Sequence, residues 1–158
     1  MNTNNYNETL KDEYRTLVVA FFNTVEEQRE DRELSARMLF EMAKSKSLTD
    51  KESMSADWLR NRVYQPQKYK HLPQWIAKSA YYCLMARNWT PTKNSEWLVM
   101  LAFYVREFGG DTPSYEDLSQ SLPANLEGEL GFQWLKVCVN AVNDIKKQNK
   151  RIRHEFFI

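Results

Sequence analysis

Eight basic side chains, Arg60, Arg62, Lys68, Lys70, Lys78, Arg87, Lys93 and Arg106, lie between Trp58 and Arg106, with Glu96 as the single acid among them. Cations gathered without acids can neutralise phosphates and release their condensed counterions, the main source of affinity for a nucleic-acid backbone. Aromatic rings are interleaved with these bases: Trp58, Tyr64, Tyr69, Trp75, Tyr81, Tyr82, Trp89, Trp97, Phe103 and Tyr104. Nucleic-acid grooves combine such cations with ring planes on which bases stack. Trp58, Trp75 and Trp97 fall at helical core spacing, which leaves Tyr64, Tyr69 and Trp89, in loops or at helix ends, as candidate stackers. A second basic group, Lys146, Lys147, Lys150, Arg151 and Arg153, closes the chain. Lys146 and Lys147 near a helix C-terminus would also favour its dipole. The candidate backbone-binding residues are therefore Arg60, Arg62, Lys68, Lys70, Lys78, Arg87 and Lys93, with Lys146, Lys147, Lys150, Arg151 and Arg153 from the tail. No helix-turn-helix, zinc-finger spacing or RNP motif accompanies them, so recognition of the backbone rather than of base sequence is expected.

The rest of the chain is acidic. Residues 107–145 hold Lys136 as their only base against seven acids, and residues 1–57 hold eight bases against twelve. The formal net charge of +1 thus conceals a strongly segregated field. A face that is merely soluble mixes signs; the central stretch does not. Lys78 and Arg87 are nine residues apart, about 2.5 helical turns, and face different ways, so not every base can share one groove.

Catalytic chemistry finds no matching constellation. The two histidines, His71 and His154, have no acid at i±4 to orient them. HExxH, a glycine-rich phosphate loop and GxSxG are all absent. Cys83 and Cys138 lie in apolar stretches without CxxC spacing and are expected as buried reduced thiols. No enzyme activity, metal or cofactor is expected.

The elements that must position the bases are helical, because apolar residues recur at three and four rather than at two. Helices are expected over about 9–29, 32–46, 51–64, 73–87, 95–108, 113–121 and 127–149. Thr49 or Asp50 can cap the third. Pro73 suits the first position of the fourth, and the Gly109-Gly110 pair suits the end of the fifth. Buried stripes are expected from Leu34, Met38, Leu39 and Met42 in the second helix. In the fifth they run from Trp97 to Phe108, and in the last from Leu130 to Ile145. The segments QPQKYKHL and NWTPTKN are loops. The expected fold is all-α, a single domain over 1–158 built as a bundle of five to six helices with no sheet. Residues 1–7 are expected to fray, and 150–158 to form a basic tail whose Phe156, Phe157 and Ile158 either fold back or dock on a partner. No basic-then-apolar leader and no membrane-length apolar run is visible, so a cytoplasmic protein is expected.

In its size, its helicity and the charge stripe across residues 58–106, the chain resembles the small helical subunit of CRISPR Cascade-type effector complexes. The resemblance implies a non-catalytic subunit of a ribonucleoprotein, involved in antiviral defence. It would bind the backbone of DNA or RNA, contact other subunits and stack head to tail. The acidic 107–145 segment could then meet a neighbour's basic surface. The alternative is a protein–protein interaction module, such as a phage inhibitor or adaptor, acting through acidic surfaces that mimic nucleic acid. A small toxin, antitoxin or regulator is a third class. Charge reversal of Arg60, Arg62, Lys68 and Lys70 would abolish function in the first case and spare it in the second.

Overall fold

In a computed structural model, which describes residues 5–27 and 31–157, with side chains through Arg151, the chain is all-helical. Among the described residues there are seven helices and no strand: α1 (Tyr6–Val25), α2 (Asp31–Ser45), α3 (Ala56–Tyr64), α4 (Gln74–Ala86), α5 (Asn94–Phe108), α6 (Tyr115–Gln120) and α7 (Glu129–Phe157). The count is therefore seven rather than five or six. No helix among the described residues is long and apolar enough to cross a membrane.

The chain divides into two compact units, one of Lys11–Thr90 and one of the residues up to Leu10 together with Pro91 onward. In the first unit, α2 packs on α3 and α4. The buried face of α2 is Ser35, Ala36, Leu39 and Ala43, whereas Leu34 is 45% exposed. The expected stripe is thus rotated. The helix packs on α4, whose buried residues include Ala77, Ala80 and Leu84. In the second unit α5 is buried almost all round, from Glu96 to Val105, and packs on α7, as does α6. A helix that is apolar on every side is a core helix. Leu135, Cys138, Val139 and Ala141 of α7 are buried as expected, but Phe108 and Leu130 are 59% and 49% exposed. Each lies at a helix end, beyond the packed turns.

Caps set the boundaries. Ser55, not Thr49 or Asp50, caps α3, its hydroxyl accepting from the Trp58 backbone N–H at 3.1 Å, so α3 begins five residues later than its apolar pattern suggests. The Glu96 carboxylate reaches back to the backbone N–H groups of Thr92 and Lys93 at 2.9 and 3.0 Å and fixes the start of α5. After α5, Gly110 takes φ +63°, a conformation that favours glycine, and the chain turns.

Candidate nucleic-acid interface

The nine-residue helix α3 carries two pairs of neighbours at i and i+4, Trp58 with Arg62 and Arg60 with Tyr64, on two different faces. These faces have opposite fates.

Arg60 turns inward. Its Nη1 and Nη2 donate to Glu26 Oε1 and Oε2 at 2.5 and 3.1 Å, and both side chains are mostly buried. Ser35 Oγ donates to the same carboxylate at 2.6 Å. The guanidinium also lies 4.9 Å from the Phe22 ring and 5.5 Å from Tyr64. Tyr64 stacks on Phe22 with centroids 6.2 Å apart, and burial raises its pKa above 10.0, an effect partly opposed by Arg60. Arg60 is thus a tie between elements, its charge already matched.

Arg62 turns the other way and meets rings instead of acids. Its guanidinium lies 3.8 Å from the Trp58 ring centroid and 4.7 Å from that of Tyr69, and Nη1 donates to the Trp58 carbonyl at 3.2 Å. Lys51 Nζ stands 4.4 Å from the Trp58 ring, and Lys68 Nζ 5.5 Å from Tyr69. Trp75, at the start of α4, stacks on Trp58 with centroids 6.4 Å apart and planes 20° from parallel. Trp58 and Trp75 are half-buried and not core, which corrects their expected placement; Trp97 is core, at 5% exposure. Arg15 of α1 holds this assembly together: its Nη2 donates to the carbonyls of Arg62 at 3.0 Å and Tyr69 at 2.5 Å, binding the end of α3 to the loop that follows. Asp12 Oδ1 stands 3.8 Å from His71 Nδ1 in that loop, so His71 does have an acid nearby, one distant in sequence.

Beside Trp75 lies an open groove of about 780 Å³ lined by Lys44, Ser47, Leu48, Thr49, Asp50, Lys51 and Trp75. Its wall is a turn after α2. The Leu48 N–H donates to the Ala43 carbonyl at 2.9 Å, Ser47 adopts φ 56°, and Lys44 Nζ donates to the Lys51 carbonyl at 3.1 Å.

Of the other candidate bases, Lys70 and Arg87 are exposed and Lys78 is half-buried, all in the Lys11–Thr90 unit. Lys93 is exposed ahead of α5 in the other unit. Lys146 donates to the Asp111 carbonyl, with its Nζ 3.9 Å from Asp111 Oδ1. Lys147, Lys150 and Arg151 are exposed on α7. The side chains of Arg153, Phe156 and Phe157, and the whole of Ile158, lie outside the described residues. The structure therefore joins Arg62 and Lys68 in one cluster and commits Arg60 and Lys146 to acids. It also adds Lys51, Lys44 and Arg15, which were not among the candidates read from the sequence. The spacing of Trp58 and Arg62 was the available signal for the cluster; Lys51 was hidden because it sits in an acid-rich segment.

Both thiols are buried and protonated. Burial pushes Cys83 up to about 11, partly offset by Arg87, and Cys138 up to about 12, partly offset by a hydrogen bond to the Tyr6 side chain. Among the described residues no group of three His, Cys, Asp or Glu could hold a metal ion. No protein-family model, curated protein or solved structure matches this chain.

Proposed function

We propose that this chain is a non-catalytic, nucleic-acid-backbone-binding subunit of a ribonucleoprotein, comparable in role to the small helical subunit of CRISPR effector complexes. The observation that carries this proposal is Arg62, held over Trp58 and Tyr69 with Lys51 and Lys68 on the same rings and no carboxylate paired to any of the three among the described residues. Cations on ring faces keep their charge available to a phosphate, whereas a salt-bridged arginine does not. The charge segregation along the chain supports the same conclusion, and affinity would add up across copies in an assembly.

Fluorescence anisotropy with a labelled oligonucleotide at low salt tests it. The wild-type protein binds. The triple variant Arg62→Glu, Lys68→Glu, Lys70→Glu, with helicity checked by circular dichroism, binds at least about tenfold more weakly, since charge-assisted contacts contribute about 1.5–3 kcal/mol each. Arg60 is left intact because it holds Glu26. Full binding by the triple variant, or none by the wild type, overturns the proposal.

A further inference from the structure

A backbone-binding surface need not touch bases, but the groove beside α4 has the parts to do so. Trp75 belongs both to the Trp58 stack and to the lining of the groove. Trp58 already carries Arg62 at 3.8 Å and Lys51 at 4.4 Å, so its ring is occupied. Among the described residues Trp75 makes one ring contact, the near-parallel stack at 6.4 Å. The groove it borders supplies two ammonium groups, Lys44 and Lys51, and two hydroxyls, Ser47 and Thr49, against one acid, Asp50. An indole backed by a second indole, in an open groove with cations, combines a base platform with phosphate ligands a short distance away. A duplex presents phosphates but not base faces, because its bases are stacked on one another; only an unpaired strand can use such a ring.

We propose that Trp75 is a base-stacking platform and that the groove of Lys44, Ser47, Thr49 and Lys51 takes the flanking phosphates, so that the ligand is single-stranded nucleic acid. This rests on the backbone-binding function proposed above and specifies its substrate class. Lys51 links the two parts, lying in the groove and over Trp58 at once. The strand would pass from the groove across the tryptophan pair toward Arg62, Tyr69 and Lys68.

The full-length protein is titrated with four probes of equal length: oligo-dT, oligo-U, an abasic deoxyribose-phosphate strand and a mixed-sequence duplex. The expected order is tight binding of dT or U and weak binding of the abasic strand and the duplex; the dT and U arms separate DNA from RNA. Trp75→Ala should weaken binding of the preferred strand by about 5- to 100-fold, the range of one base–aromatic stack. Abasic-strand binding should weaken far less, and Trp75→Phe should restore most of the loss. The abasic comparison needs no variant and so stands even if Trp75→Ala fails to fold. Equal affinity for dT, abasic strand and duplex overturns the stacking site while sparing the backbone-binding function. Failure of every probe to bind at low salt overturns both.

Discussion

Two arginines a turn-fraction apart, Arg60 and Arg62, carry the clearest lesson at the scale of single residues. Both are candidates on charge, and each has an aromatic ring four residues away, Tyr64 for Arg60 and Trp58 for Arg62. The difference lies in what faces them after folding: Glu26 and Ser35 for the first, Trp58 and Tyr69 for the second. Arg60→Ala leaves a mostly buried carboxylate without its countercharge and is expected to cost about 3 kcal/mol, read as a lower urea midpoint. Folded Arg60→Ala should bind oligonucleotides as the wild type does. Arg62→Ala should lose under about 1 kcal/mol of stability, the size of a partly exposed cation–ring contact, yet weaken binding. If both variants lose binding and keep stability, the assignment of Arg60 to the interior fails.

The cysteines yield a pH prediction at the same scale. A folded pKa of about 11 for Cys83 and about 12 for Cys138, against the ordinary 9.0, means that the native state holds protons the unfolded chain has released. Their contribution is fully present below pH 9 and is lost as pH rises through 9 toward 11 and 12. Thermal midpoints should fall over that window, and less steeply in the Cys83→Ala, Cys138→Ala variant than in the wild type. Equal slopes would mean that the thiols are not desolvated.

At the scale of elements, position was legible wherever a breaker or a strong period marks it. Pro73 and the Gly109-Gly110 pair bracket α4 and α5 to within a residue. The start of α3 was not legible, because Thr49, Asp50 and Ser55 are all competent caps and only Ser55 is used. Nor was the rotation of α2, whose buried face combines Leu39 with the small residues Ser35, Ala36 and Ala43 while Leu34 is exposed. The end of α7 was set too early: the polar run after Ile145 lacks a core-facing stripe, but its residues are good helix formers and the helix continues to Phe157. Of the candidate site, the bases were legible and their partners were not, since Arg15 and Lys51 reach the cluster only through tertiary contact. Arg15 is the positioning residue at this scale. It is buried in part and distant in sequence from the carbonyls it ties. Arg15→Ala should free the loop after α3 and raise amide hydrogen exchange across Gln65–His71. Arg15→Lys should rescue this only in part, because one ammonium replaces a planar fork. Unchanged exchange in Arg15→Ala would mean that the loop is held by other contacts.

For the whole molecule, the issue is whether a protein of net charge +1 can bind a polyanion at all. Net charge governs attraction from far away, but contacts within a Debye length, about 8–10 Å in ordinary buffers, respond to the local set of charges. The cluster and groove offer Lys44, Lys51, Arg62 and Lys68, and Asp50 is the acid that lines the groove. If these four cations each displace one counterion from a single strand, the logarithm of the binding constant should fall against the logarithm of salt concentration with a slope of about −3. A slope near zero would mean that binding is not electrostatic, contrary to the function proposed. A slope much steeper than about −3 would bring in cations outside the cluster, and Lys147→Glu with Lys150→Glu on α7 would locate them. Of the four cations in the cluster and groove, the Arg62, Lys68 and Lys70 charge-reversal variant removes Arg62 and Lys68, so it should flatten the slope by about 1.4, while Trp75→Ala lowers affinity without changing it. Charge and stacking are separate contributions, and only the first releases ions.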